Sequence, residues 1–136
     1  MPTSAGFALQ QAVFTTLSAA APVTSLLGPA KIFDDVPQSA AFPYLSFGQT
    51  SASDWGTGTE DGEEHTLTLH VWSREGGKKQ VEQVLAAIRT SLHDQNLSLS
   101  GHRLINLRQE LAEHRREPDG ETIHGIARYR AVTEPL

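Results

Sequence analysis

An α+β sandwich is the fold class this sequence predicts: a mixed or antiparallel sheet of about four to five strands with two main helices packed on one face. Three observations lead there. Two stretches place apolar residues at helical spacing, one stretch alternates apolar and polar residues strictly, and a turn sequence near the end joins two long alternating segments.

Residues 3–21 read as the first helix, through Leu9, Val13, Leu17 and Ala20, with Phe14 widening the apolar stripe and Thr3 or Ser4 as N-cap. Pro22 closes that run, and VTSLLG adds a further turn ended by Gly28 and Pro29. KIF at 31–33 is a short extended piece, and the prolines and polar residues of DDVPQSAAFP suggest a surface connection. YLSFGQT at 44–50 is a strand with Leu45 and Phe47 on one face. HTLTLHVWS at 65–73 is the most regular strand: Leu67, Leu69 and Val71 face one way, and Thr66, Thr68, His70 and Trp72 the other.

After REGG, residues 78–93 form an amphipathic helix whose stripe runs through Val81, Val84, Leu85, Ile88 and Leu92. Arg89 and His93 near its end suit the helix dipole. The rest is a hairpin, 103–116 and 121–132, around EPDGE, where Pro118, Asp119 and Gly120 fit a type I turn followed by a left-handed glycine. That turn would pair Glu117 with Glu121, Glu110 with Arg128 and Leu107 with Ala131. Ile105, Leu107, Leu111, Ile123, Ala127 and Tyr129 then share the core side, and Arg108, Glu110, Arg128 and Arg130 the opposite one.

The chain of 136 residues has the length of one domain, and no linker or internal repeat divides it. A domain of this size buries roughly two thirds of its unfolded surface, so it needs no covalent staple. The absence of cysteine excludes disulfides and thiolate metal sites. No apolar run approaches the ~18 residues that span a bilayer, so no membrane role is expected. The start of the chain lacks the basic segment of a signal peptide. A formal net charge of −5 argues against function by neutralising phosphates.

GTGTEDG at 56–62 looks like a nucleotide loop but has the wrong glycine spacing, and it leads into a strand rather than a phosphate-binding helix N-terminus. It also lacks the ligand spacing of a calcium loop. Of the six histidines, His65 and His70 lie on opposite strand faces and cannot share an ion. His114 and His124 fall opposite one another in the proposed hairpin, a weak pair without a third ligand. No serine has a nucleophile-elbow context. The sequence therefore marks no catalytic residue, no cofactor and no metal site.

Charge is more informative. Residues 51–64 read as a flexible, acidic, glycine-rich arm with Asp54, Trp55, Glu60, Asp61, Glu63 and Glu64 and no basic residue. Six of the eleven basic residues, Arg103, Arg108, Arg115, Arg116, Arg128 and Arg130, lie on the last hairpin. Such a hairpin can neutralise itself through cross-strand ion pairs, contact nucleic acid, or meet an acidic edge of an identical subunit.

The helix followed by VTSLLGPAKIF, the FPYLSFGQT strand, the acidic loop running into HTLTLHVWSREGGKKQVEQVLAAIRTSL and the closing GIARYRAVTE together cover nearly the whole chain. In this combination the sequence resembles the tail completion proteins of long-tailed phages, a family that includes tail terminators and tail-to-head joining proteins. Gene transfer agents, which are phage-derived particles, carry proteins of the same kind. The resemblance implies a structural protein, not an enzyme, made in the bacterial cytoplasm and built into the head-proximal end of a tail. It implies a homo-oligomeric ring, typically a hexamer, that ends tube polymerisation. Its partners would be the tail tube protein and a head connector or adaptor, with DNA passing unbound through the lumen. The arm, anchored by Trp55, would be an assembly interface. A head-side connector, a nucleic-acid-binding module and a small hydrolase remain as alternatives.

Overall fold

The structure, a computed structural model, describes residues 4–136. Helix α1 spans Ala5–Ala19 and is capped by Ser4, whose Oγ accepts from Phe7 N at 3.2 Å; Thr3 lies outside the described residues. Its buried stripe is Ala5, Ala8, Leu9, Val13 and Leu17, while Phe14 is 44% exposed and does not widen it. Pro22 opens a second helix, α2 (Ala21–Leu27), from its first turn, where proline has no helical hydrogen bond to lose. Strand β1 (Ile32–Phe33), β2 (Tyr44–Asp54) and β3 (Glu63–Ser73) follow, then α3 (Lys79–Leu92), β4 (Ser98–Leu99), β5 (His102–Arg116) and β6 (Ile123–Pro135).

The strands make one six-stranded sheet in the order β1-β2-β3-β6-β5-β4. β1 runs parallel to β2 and every other pairing is antiparallel, so the sheet is mixed. The expected α+β class therefore holds, with KIF forming β1 as expected and the strand count raised to six by two-residue β4. β2 and β3 also extend to Asp54 and back from Glu63, so much of the expected arm is strand and the loop proper is 55–62.

The helices cover the sheet face that carries Leu45, Leu67, Leu69, Val71, Leu107, Ile123, Ala127 and Tyr129, all at most 2% exposed. Against them pack Leu9, Val13 and Leu17 of α1 and Val81, Val84, Ile88 and Leu92 of α3. Each such side chain stabilises the fold by about 2 kcal/mol on removal from water. Tyr129 keeps its hydroxyl satisfied by donating to Gln109 Oε1 at 2.8 Å.

The last hairpin turns at Pro118–Gly120 as expected, with Gly120 at φ 76 and Asp119 Oδ1 accepting from Glu121 N and Thr122 N at 2.9 and 2.8 Å, but Glu117 N donates to Thr122 O at 2.8 Å, so Glu117 faces Thr122 and not Glu121. Leu107 pairs with Ala131 as expected. Two bulges change the rest. One at Ile105 leaves that residue 48% exposed and puts Leu104 into the core instead. The other, at Glu110, turns Leu111 to the outer face opposite Arg128, so Glu110 has no cross-strand partner and forms no ion pair with Arg128. Each bulge inserts one unpaired residue and so reverses side-chain parity beyond it. The same shift separates His114 from His124: His114 pairs with Gly125 and reaches Glu82 of α3 at 2.7 Å on the helix side.

Candidate assembly surfaces

The β2–β3 hairpin end is a closed turn. Trp55 N donates to Gly62 O at 2.9 Å and Thr57 N to Glu60 O at 2.7 Å, while Asp54 Oδ1 accepts from Gly56 N at 3.0 Å. Thr57 Oγ1 also accepts from Glu60 N at 3.1 Å. Trp55 is 52% exposed, but the Arg130 guanidinium lies 5.3 Å from its ring centroid and donates to Glu64 at 2.7 Å. Arg130 thus belongs to the arm, brought there by the pairing of β6 with β3 rather than held with the other arginines. Glu63 lies 3.8 Å from the buried His65. Asp54, Glu60 and Asp61 face solvent with no cation partner among the described residues, leaving concentrated negative charge.

The arginines of β5 and β6 do not form one patch. Arg103 pairs with Glu134 at 2.9 Å, Arg108 with Asp94 at 2.8 Å, and Arg115 with Glu117 at 3.4 Å. Arg116 donates to the Gly120 carbonyl at 2.9 Å, and Arg128 has no carboxylate partner among the described residues. Exposed pairs of this kind contribute little stability and exchange readily for other partners. Arg108, Arg115 and Arg128 share the outer sheet face, and Arg116 turns to the helix side at the strand's end.

The outer face also holds a chain of groups that the sequence did not reveal. Glu117 Oε1 lies 2.7 Å from His124 Nδ1, and His124 Nε2 lies 2.6 Å from His70 Nδ1. A carboxylate only accepts, so His124 carries its proton on Nδ1 and offers Nε2 to the N–H of His70. Trp72 stacks on His124 at 3.9 Å with an interplanar angle of 8°, and its indole N–H donates to Ser46 Oγ at 3.1 Å. Burial holds both imidazoles below the usual value, in His70 with help from the neighbouring His124 and Arg115; in His124 the Glu117 hydrogen bond opposes it. That same hydrogen bond is the main reason Glu117 is held below the ordinary carboxylate range. Alternation placed His70 and Trp72 together, but only the β3–β6 pairing adds His124, and strand order is not written in periodicity.

Among the described residues no group of three or more His, Cys, Asp or Glu converges as metal ligands. The chemistry of the molecule lies in charged hairpin ends and strand edges, which defines an α+β interaction module. The family model for tail completion protein gp17 matches residues 11–134, and the chain belongs to that family. Tail completion protein gp17 of Bacillus phage SPP1 is 25% identical over 125 residues, covering 90% of each chain. A chain in the solved virion of a native gene transfer agent particle superposes with a TM-score of 0.88 at 28% identity, covering 97% of this chain and 99% of that one. The protein is accordingly a tail completion protein, a structural component of the tail of a phage or phage-like particle.

Proposed function

We propose that the protein assembles as a ring, typically a hexamer, on the head-proximal end of a tail tube, ends tube polymerisation and joins the tail to the head. Its partners are further copies of itself, the tail tube protein and the head connector, and DNA passes through the lumen without specific binding. The role is structural rather than catalytic. The observation that carries this reading is the near-complete match to a chain of an assembled gene transfer agent virion. Two surface features support it: the arm with Asp54, Trp55, Glu60, Asp61, Glu63 and Glu64, and the basic hairpin with Arg108, Arg115, Arg116, Arg128 and Arg130. Charge without an opposite partner among the described residues remains at Asp54, Glu60 and Asp61 on the arm and at Arg128 on the outer sheet face, where it can select a partner.

Replacing residues 55–62 by Asn-Gly gives the test. Asp54 and Glu63 are cross-strand partners, so a two-residue turn can close the hairpin without disturbing the sheet. The variant should fold with unchanged circular dichroism yet fail to cap purified tubes, which then grow past their normal length, and yield few joined particles. Normal tube length and particle yield with the shortened arm would overturn the arm's role. Tubes of normal length in a particle lacking the whole protein would overturn termination itself.

A further inference from the structure

Two aspartates are followed directly by glycine, Asp61–Gly62 in the arm and Asp119–Gly120 in the last turn, and no asparagine is. That pairing has a reactivity of its own. Glycine has no Cβ to shield its amide nitrogen, so the nitrogen can reach the carboxyl carbon of the preceding side chain and close a small ring. The fold holds these two pairs in opposite conditions.

Asp119 is locked. Its Oδ1 accepts from Glu121 N and Thr122 N at 2.9 and 2.8 Å, and its Oδ2 accepts from Thr122 Oγ1 at 2.6 Å. The Thr122 hydroxyl bond, followed by the two amide bonds, holds this carboxyl well below the usual carboxylate range. It therefore stays ionised, the form that resists attack. Gly120 N is engaged as well, donating to Glu117 O at 3.0 Å.

Asp61 is open. It is exposed, and its carboxylate has no hydrogen-bond or cation partner among the described residues. The loop is pinned on both sides of it. Glu60 N donates to Thr57 Oγ1 at 3.1 Å, Glu60 O accepts from Thr57 N at 2.7 Å, and Gly62 O accepts from Trp55 N at 2.9 Å. Between those anchors neither Asp61 O nor Gly62 N has a hydrogen bond among the described residues, so the peptide that joins them is free to turn. Asp54 in the same arm is no competitor: its Oδ1 accepts from Gly56 N at 3.0 Å, and the next residue, Trp55, gives its N–H to Gly62 O.

We propose that Asp61–Gly62 is a site of spontaneous covalent modification, at which the Gly62 nitrogen closes on the Asp61 carboxyl and the product is isoaspartate. The nitrogen loses its proton and bonds to Cγ, and the carboxyl hydroxyl leaves as water, giving a succinimide. Water then adds back at either ring carbonyl. Opening at Cγ restores aspartate, and opening at the backbone carbonyl routes the main chain through Cβ and Cγ. No oxidant or cofactor enters, and the product has the mass of the original. The main chain gains an atom next to Gly62 O, the group that closes the loop onto Trp55, so the arm changes shape while the sheet behind it stays. The chemistry belongs to the single chain, whatever that chain assembles into.

The test keeps purified chain, folded or in urea, warm in mildly acidic buffer. Isoaspartate is read with an isoaspartyl methyltransferase and labelled S-adenosylmethionine, and placed by mapping with a protease that cuts before aspartate but not isoaspartate. In the folded chain, label should build up at 61 at close to its rate in urea. At 119 folding should slow it about tenfold or more, since bonds to a charged group must break first. A minor intact species lighter by a water should mark the ring. Gly62→Ala, whose methyl would come no nearer than 3.4 Å to Thr133 O and Trp55 O, should fold and lose most of the label at 61. Folded chain with no label at 61, or with as much at 119 as at 61, would overturn the proposal. Undiminished label in Gly62→Ala would overturn the choice of site, which rests on the bare nitrogen.

Discussion

Gly125 lies on β6 directly beneath the first turn of α3. A Cβ built there would sit 2.5 Å from Val81 Cγ1, 3.4 Å from Leu85 Cδ1 and 3.5 Å from Val71 Cβ. Carbon atoms rest at about 3.5–4.0 Å, so Gly125→Ala forces Val81 or the helix to move by roughly 1 Å. Val81 is fully buried, and valine in a helix has one strongly preferred rotamer, which leaves the helix to lift. The backbone at Gly125 is ordinary strand, so no conformational strain confuses the result. Overpacking of this kind costs about 2 kcal/mol, roughly 6–10 °C in Tm for a domain of this length. Val81→Ala alone should cost a similar amount by opening a cavity. In the double variant the new methyl fills part of that space, so the two costs should fall short of their sum by about 1 kcal/mol or more. Urea unfolding of all four proteins, followed by circular dichroism, gives the coupling. Additive costs, or a neutral Gly125→Ala, would refute the close approach of α3 to the sheet.

Further expectations concern protons and buried partners. His65, His70 and His124 are all held below 6.5, chiefly by burial, so the unfolded chain binds more protons in that window. Stability should be full above about pH 6.5 and fall as the pH drops through it, and a flat urea midpoint from about pH 8 to pH 5 would contradict this. In a Trp55→Phe background, Trp72 emission should be quenched as His124 gains its proton, with a midpoint below 6.5; an unresponsive signal would mean the stack does not persist in solution. Tyr129→Phe leaves Gln109 without its donor and should cost about 1 kcal/mol, measured by the same denaturation. Asp119, held at about 2 by bonds from Thr122 and Glu121, should leave the hairpin turn less protected in Asp119→Ala, seen as faster amide exchange at Thr122.

How far the fold could be read from residues alone depended on what each signal measures. Hydrophobic spacing located α1 and α3, because helix faces bury in proportion to their apolar stripes. EPDGE located the turn, because proline fixes φ and glycine reaches the positive φ that other residues avoid. Alternation from Leu107 selects Ile105 for the core, and the bulge that turns Leu104 inward instead depends on how β5 meets β6. KIF at 31–33 was legible as a short extended piece and is β1, whereas β4, two residues long, leaves no period to detect. Of the candidate surfaces, the acidic arm was visible as composition. The Arg130–Glu64 pair and the Glu117–His124–His70 chain join residues far apart in sequence and had no local mark.

The position of β6 has a consequence for how the chain is born. It is the last strand in sequence and sits in the middle of the sheet, between β3 and β5. Until residues 123–135 leave the ribosome, the meander of β2 and β3 and the lone β5 have no ladder in common, and Leu67, Leu69 and Leu107 lack the neighbours that bury them. Synthesis therefore outruns folding, and collapse into the finished sheet waits for the final stretch, since distant pairings form late. During that interval the nascent chain exposes apolar strands, and a stalled ribosome would hold a chain that chaperones recognise.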